Sequence, residues 1–200
     1  MDPSIVVSRF ENTLQRSRSK DWDYLPGVVR GSSLIASGTS EQRLNLFALN
    51  RGGLGNKNYL SNITSSAGIM SSDQSFSVEG LKFTLSCTTA SYTAHLNTKE
   101  VREILTQATF TLFVDGKPKT EGWLLSLAVP TVVYGYGSGG AAVADVNMNT
   151  IAYKNIAHNP IGLPPGVSFD VEVILTCPVD TGGDTYITCE MIGTRKIRLG

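Results

Sequence analysis

The sequence predicts an all-β protein: an antiparallel β-sandwich of the jelly-roll type with one short inserted helix and an N-terminal arm. Seven to nine short segments alternate apolar and polar residues, which is the period of half-buried strands. Turn-forming residues separate these segments every eight to fifteen positions, and only one segment has secure helical spacing. Short strands in this number, joined by turns, are typical of antiparallel sandwiches and jelly rolls.

The clearest strands lie near the C terminus. Residues 168–177 and 185–192 both alternate apolar and polar side chains, and turn residues at 178–184 separate them. We predict that the two strands pair as a β-hairpin that closes the sandwich. Residues 196–199 are predicted to form a further short strand that ends the molecule.

Two features in the middle of the chain give local predictions. In residues 74–88 the apolar parity changes across Gly80, so we predict a β-bulge or a corner there. Asn97 and Glu100 form a capping box at the start of the one secure helix, which is predicted over residues 98–106.

Three further segments have recognisable patterns. Residues 109–114 and 122–129 are predicted as strands of a hairpin around the Asp-Gly pair at 115–116, a pair that favours positive φ. Residues 44–49 are also predicted as a strand. Residues 22–29 are predicted as a linker that docks into an apolar groove.

Residues 1–32 are predicted to form an N-terminal arm and linker, and residues 33–200 a single β-sandwich domain. Between residues 9 and 20 there are four basic side chains and one acidic side chain, and apolar residues recur at roughly helical spacing. The segment is either an arm that contacts phosphate, a membrane surface or a neighbouring subunit, or a solvated helix at the edge of the domain. The candidate assembly residues of the arm are Arg9, Phe10, Arg16, Arg18 and Lys20.

The composition limits the classes of function. Charged residues make up 17% of the 200-residue chain, below the roughly 25% of a typical soluble domain, and 17 basic residues cancel 17 acidic ones. The whole molecule therefore has no long-range attraction for nucleic acid or an anionic membrane, so any such contact must be local. Cys87, Cys177 and Cys189 are odd in number and widely spaced, and we predict that they are reduced core residues without a disulfide or a zinc ion.

No motif supports catalysis. The glycines at 135, 137 and 140 match a dinucleotide fingerprint, but the βαβ context and the acidic residue that this fingerprint needs are missing, so we predict a surface loop. Neither His95 nor His158 has a cysteine or carboxylate at ligand spacing. We predict no enzymatic activity, no cofactor and no metal site. The residues predicted to lie in contact loops are Gly135, Tyr136, Gly137, Asp180 and Asp184.

In combination, the basic segment at 4–20, the β-rich body, the helix at 98–106 and the Gly/Ser/Asn-rich loops at 51–58 and 135–142 resemble the single jelly-roll coat proteins of icosahedral viruses, including those of tailless phages. The resemblance implies a structural protein that self-assembles into an icosahedral shell, is made in the host cytoplasm and is located in the virion. The implied partners are copies of itself in capsomers, other virion proteins, and nucleic acid or membrane contacted weakly through the arm. The alternative is a receptor- or carbohydrate-binding β-sandwich module of a spike or fibre.

Overall fold

The computed structural model of the chain describes residues 22–38, 41–48, 68–88, 98–127, 152–179 and 184–198. Most of these residues lie in strands, which in chain order are β1 (Trp22–Ile35), β2 (Gln42–Asn45), β3 (Gln74–Thr88), β4 (Ala108–Val114), β5 (Lys117–Trp123), β6 (Ala152–Asn155), β7 (Ile161–Leu163), β8 (Phe169–Leu175) and β9 (Asp184–Arg198). They form two antiparallel sheets. Within this part of the chain the protein is an all-β sandwich, as the alternating sequence pattern predicts.

The two sheets differ in how they are built. The first has the strand order β1-β9-β3-β6, and β7 also pairs with β3. The second has the order β2-β8-β4-β5. β9 is an interior strand of the first sheet, because it pairs with β1 on one side, from Trp22 opposite Arg198 to Ile35 opposite Thr185, and with β3 on the other. Three long strands, β1, β9 and β3, therefore lie side by side in the first sheet, with β1 at its edge.

The core lies between the sheets, where alternate residues of each strand are buried. β8 is the clearest case: Phe169, Val171, Val173 and Leu175 are buried, and the residues between them are half-buried. In the described residues, the buried apolar side chains of both sheets belong to one cluster. Removal of apolar surface from water, at roughly 25 cal/mol per Å², is the main force that holds such layers together.

Two local predictions are confirmed. The register of β3 against β9 shifts between Val78 and Gly80, which is the bulge that the change of parity predicts. The predicted helix is α1 (Thr98–Gln107). Its buried residues recur at helical spacing and are Val101, Ile104 and Leu105.

The hairpin around Asp115 and Gly116 is also confirmed, with β4 paired to β5. The two residues have φ values of 56° and 67°, so both are left-handed, as a two-residue type I′ turn requires. The predicted range of the second strand is wrong, because the strand ends at Trp123 and the next residues form the short helix α2 (Leu124–Leu127). A segment of four residues rich in leucine can form either a strand or a helical turn. It is too short for the spacing of its apolar residues to distinguish the two.

The hairpin predicted between residues 168–177 and 185–192 is wrong. β8 pairs with β2 and β4 in the second sheet, whereas β9 pairs with β1 and β3 in the first. The chain therefore passes from one sheet to the other between Leu175 and Asp184. Both segments alternate as predicted, but a period of two only assigns side chains to faces and does not identify the partner strand.

Predictions near the two ends of the sandwich also differ from the structure. Residues 22–29, predicted as a linker, belong to β1, which pairs with β9 along its whole length. Pro26 is tolerated there because β1 lies at the end of the strand order, where a missing N–H donor can face away from the sheet. The strand predicted at 44–49 is β2, which begins and ends earlier, and the strand predicted at 196–199 is the end of β9.

The core prediction for the cysteines is confirmed for Cys189, which is buried and has a free thiol. It is wrong for Cys177, whose free thiol is exposed because β8 ends at Leu175. The Cys177 N–H donates a hydrogen bond of 2.6 Å to the Gln107 Oε1, so this residue is held against the end of α1. The side chain of Cys87 lies outside the described residues.

Candidate assembly surface

A groove of about 410 Å³ lies on the first sheet, at the end where β1 begins. Tyr24 of β1 lines one side, and Leu163, Pro164 and Pro165 line the other. Thr194 of β9 lies between these two sides, since the strand order places β9 and β3 between β1 and β7. Most of the surface inside the groove is apolar carbon. A concave apolar surface of this size suits an apolar ligand or a side chain from another chain.

Strand register brings the two sides of the groove together. Tyr24 is directly opposite Lys196 of β9, and Lys196 is opposite Ser75 of β3. The Lys196 Nζ lies 5.5 Å from the centroid of the Tyr24 ring, which is a cation–π contact. The Thr194 hydroxyl donates a hydrogen bond of 3.0 Å to the Glu79 carboxylate, so this hydroxyl is already satisfied within the chain.

The proline side of the groove is held by a turn after β7. The Gly166 N–H donates to the carbonyl oxygen of Met70 at 3.1 Å, and the Val167 N–H donates to the carbonyl oxygen of Pro164 at 3.4 Å. Gly166 has a φ of 69°, a left-handed conformation that glycine adopts without strain. The first bond ties the turn to the segment before β3, and the second closes the turn on itself.

An ion-pair row crosses the outer face of the first sheet. Glu190 of β9 contacts Arg30 of β1 at 2.6 Å and Lys82 of β3 at 3.1 Å. Glu190 lies between the buried residues Cys189 and Met191, so its side chain points to the opposite face of the sheet. The row links three adjacent strands, but partly exposed pairs of this kind typically stabilise a fold by only about 0–1 kcal/mol.

Several large apolar side chains are exposed on the described surface. Trp123 is the largest, with 45% of its surface exposed, although its indole N–H donates a hydrogen bond of 2.8 Å to the carbonyl oxygen of Thr106. The others are Leu25, Leu34, Ile69, Leu125 and Tyr153. Single exposed apolar residues are normal on soluble domains. Large apolar side chains of this kind are also the residues that commonly anchor contacts between protein chains.

Among the described residues, two groups have a clearly shifted pKa. Burial raises the pKa of the Asp170 carboxyl, and the neighbouring Glu172 adds to this, although the N–H groups of Phe47 and Val171 donate to the carboxylate and oppose the shift. Burial also raises the pKa of the Cys189 thiol well above its ordinary value. Asp170 fastens the chain after β2 to β8, which is a structural role.

The structure places few of the predicted site residues. Residues 1–21, which include the arm residues Arg9, Phe10, Arg16, Arg18 and Lys20, lie outside the described residues, as do Gly135, Tyr136, Gly137 and Asp180. Asp184 is the first residue of β9, and only its backbone is described. The groove was missed because its residues come from four distant segments that only strand pairing brings together. The adjacent Pro164 and Pro165 were the one local signal for a rigid wall.

Other kinds of site find no support in the described residues. Within them, no group of three or more His, Cys, Asp or Glu side chains is placed to hold a metal ion, and His158 is exposed in a turn. None of the helices in this part of the chain is long and apolar enough to span a membrane. Neither a scan against protein-family models nor a search of curated proteins finds a match for this chain.

Proposed function

We propose that the sandwich is a single jelly roll. β6 and β7 both pair with β3, opposite residues 80–83 and 76–78, so they count as one interrupted strand. The described residues then contain eight strands, which is the number in a jelly roll. The first pairs with the last, the second with the seventh, the third with the sixth and the fourth with the fifth. This nested pairing is what results when one long antiparallel hairpin rolls into two sheets, and it supports the proposal.

The path of the chain between the sheets agrees with this topology. Apart from the β4–β5 hairpin and the interrupted strand β6–β7, each connection leads from one sheet to the other. A sandwich of simple up-and-down hairpins would instead keep consecutive strands side by side. The crossing between β8 and β9, which contradicts the predicted C-terminal hairpin, is one of the steps that this rolled arrangement requires.

The protein's proposed function is that of a structural capsid protein, which assembles with copies of itself into an icosahedral virion shell. The nested strand pairing carries this proposal, because viral coat proteins are a principal use of the jelly roll. Zero net charge supports it, since identical copies do not repel one another at long range. Exposed apolar side chains such as Trp123 and Leu34 supply anchors for contacts between copies. The proposed partners are other copies in capsomers, other virion proteins, and nucleic acid or membrane at the arm.

The size of the purified full-length protein tests this function. Light scattering and electron microscopy over a range of salt and pH are expected to show capsomers or closed shells of uniform diameter. Since the chain has no net charge, assembly is expected to persist at low salt, where like-charged subunits would repel one another most strongly. A protein that stays monomeric at high concentration under all these conditions would contradict the proposal.

The groove favours one alternative, a receptor- or carbohydrate-binding module of a spike or fibre. An aromatic ring beside hydroxyl-bearing residues, as at Tyr24 and Thr194, is a surface on which a sugar ring can stack. This alternative predicts a stable monomer or trimer that binds a glycan, with the affinity lost in Tyr24→Ala and retained in Tyr24→Phe. Calorimetric titration with a panel of glycans, alongside the size measurement, distinguishes the two functions.

A further inference from the structure

The Asp115–Gly116 pair at the tip of the β4–β5 hairpin has the chemistry of a spontaneous main-chain rearrangement. Asp115 is the only aspartate or asparagine among the 200 residues that glycine follows directly. Because glycine has no Cβ, its amide nitrogen can approach the side chain of the residue before it more closely than any other residue allows. Both residues of the pair are exposed, so water also reaches them.

The turn holds the main chain around this pair but leaves the reacting groups free. Val114 and Lys117 are opposite each other in the register, and in a two-residue turn they make the closing main-chain hydrogen bonds. The Asp115 N–H donates to the carbonyl oxygen of Ser168 at 2.8 Å. None of these bonds uses the N–H of Gly116. Within the described part of the chain, the Asp115 carboxylate has no hydrogen bond or ion pair, so the side chain can rotate towards the Gly116 nitrogen.

The main-chain conformation of Asp115 favours such a rotation. Its φ of 56° is left-handed, and this region costs an aspartate more free energy than the right-handed or extended regions do. Turning the Asp115 main chain out of this conformation therefore recovers part of the free energy that the rotation costs.

We propose that Asp115 isomerises spontaneously to isoaspartate in the folded protein. The Gly116 nitrogen attacks the carboxyl carbon of the Asp115 side chain, a C–N bond forms, the N–H and C–OH bonds break, and one water molecule leaves. Water then opens the resulting cyclic imide at one of its two carbonyl carbons. Opening at the side-chain carbonyl restores aspartate, whereas opening at the main-chain carbonyl leaves the chain running through the side-chain carbon. The water lost in the first step returns in the second, so no oxidant, reductant or cofactor is consumed.

The product loosens the hairpin. Isoaspartate adds one methylene carbon to the main chain, and a two-residue type I′ turn fixes the register of its strands through its length. The longer main chain at position 115 therefore breaks the pairing next to the turn. Among the described strands, β5 has β4 as its only partner, so β5 is the strand that is released.

Ageing of the purified full-length protein in water enriched in ¹⁸O tests the site. Each passage through the imide incorporates one ¹⁸O atom, and protein isoaspartyl methyltransferase then methylates the isoaspartate that has formed. Peptide mass spectrometry is expected to find both labels at Asp115 at least about tenfold more often than at Asp73, the change that a barrier lower by roughly 1.4 kcal/mol produces.

Asp73 is the matched control within the same chain. It is also exposed, but Gln74 follows it, and its carboxylate accepts a hydrogen bond of 2.6 Å from the Ser71 hydroxyl. Equal labelling of Asp73 and Asp115 would overturn the proposal. Labelling of Asp115 only in protein that is aged in urea would overturn it as well, because the reaction would then need the unfolded chain.

The variant Gly116→Asn provides an independent test. Asparagine tolerates the φ of 67° at this position, and a Cβ there meets nothing within 4 Å, so the variant is expected to keep the hairpin. The added side chain hinders the amide nitrogen, and labelling at Asp115 is expected to fall at least about tenfold. Circular dichroism confirms that the variant is folded. Unchanged labelling in the folded variant would overturn the proposal.

Trypsin tests the loosening of the hairpin. Lys119 is exposed on β5, and the methylated copies in the aged protein are expected to be cut after this residue at least about tenfold faster than fresh protein. Equal cleavage of the two would show that the turn keeps its register and would overturn this consequence.

The reaction takes place within one chain and is independent of shell assembly. Labelling at Asp115 in a protein that stays monomeric under all conditions would support the isomerisation and contradict the shell. Closed shells without labelling at Asp115 would support the shell and overturn the isomerisation.

Discussion

The rings of Phe83 and Phe110 lie 4.9 Å apart with their planes tilted by 48°, and this contact joins the two sheets. Phe83 lies on β3 of the first sheet and Phe110 on β4 of the second, and both are fully buried. The Lys154 Nζ lies 5.4 Å from the centroid of the Phe110 ring and donates a hydrogen bond of 2.7 Å to the carbonyl oxygen of Glu121. Lys154 lies on β6 of the first sheet and Glu121 on β5 of the second. This hydrogen bond therefore also links the two sheets, next to the contact between the rings.

Replacing Phe110 by alanine is therefore expected to lower the free energy of unfolding by about 3–5 kcal/mol, because the change removes a buried ring and leaves a cavity between the sheets. Phe113→Ala on the same strand is the matched control, since Phe113 is only half-buried and lies on the other face of β4. Urea denaturation measures both. If the two variants lower the free energy of unfolding equally, the contact between Phe83 and Phe110 does not stabilise the protein in the way argued here.

The strand pattern was more predictable than the strand partners. The buried face of β8, the bulge at Gly80 and the Asp-Gly turn at 115–116 all follow from local rules, and the structure has each of them. The pairing of β9 with β1 and β3 does not follow, because every alternating strand offers the same backbone hydrogen-bonding groups to every other. Proximity in sequence favours a hairpin, but β8 and β9 pair with other strands in two different sheets.

The candidate groove was less predictable still. Tyr24 and Lys196 are opposite each other because β1 and β9, the first and last strands, are paired, and no local pattern indicates that pairing. Trp22 and Tyr24 were predicted to belong to a linker that includes Pro26. The cost of a proline depends on whether its strand lies at an edge, which becomes known only from the topology.

Gly193 is expected to tolerate no side chain. A Cβ at this position would overlap the carbonyl oxygen of Ser77, where β9 passes the bulge of β3. Gly193→Ala is therefore expected to destabilise the protein by more than about 2 kcal/mol, because main chain must move to relieve the overlap. Gly162→Ala is the control, since its Cβ meets nothing within 4 Å, and its effect is expected to stay within about 0.5 kcal/mol. Similar melting temperatures for the two variants would contradict this account.

Asp170 is expected to make stability depend on pH. Burial raises the pKa of its carboxyl, so the folded protein holds the proton more tightly than the unfolded chain does. The stabilising effect of this proton is complete below the unfolded pKa, about 3.9, and is lost as the pH rises through the higher folded value. At neutral pH the folded protein therefore bears a net cost of burying the charge, which the N–H groups of Phe47 and Val171 offset only in part.

The variant Asp170→Asn removes that charge and keeps an oxygen that can accept from the N–H groups of Phe47 and Val171. It is expected to be more stable than the unmodified protein at pH 7, by an amount that shrinks as the pH falls towards 4. Asp115→Asn is the control, because Asp115 is exposed and asparagine tolerates its positive φ. Thermal melting from pH 4 to 8 measures both. A difference between Asp170→Asn and the unmodified protein that does not change with pH would refute the expectation.

The thiols of Cys177 and Cys189 are expected to differ sharply in reactivity. Cys177 is exposed, whereas Cys189 is buried and its raised pKa leaves almost no thiolate at neutral pH. Brief treatment with iodoacetamide should label Cys177 in the folded protein and label Cys189 only after unfolding. Peptide mass spectrometry reports each site separately, so the two cysteines serve as controls for each other. Labelling of both at similar rates would contradict the burial of Cys189.

Deletion of residues 1–20 is expected to impair assembly without unfolding the sandwich. The deletion stops short of Trp22, where β1 and its pairing with β9 begin, so the described strands keep all their partners. Circular dichroism is therefore expected to show an unchanged β spectrum, while light scattering shows a shift from large particles to small species. The control is the double variant Lys117→Gln/Lys119→Gln, which changes two exposed cations on β5 and leaves the arm intact. Particles of unaltered size after the deletion would exclude any role of the arm in assembly.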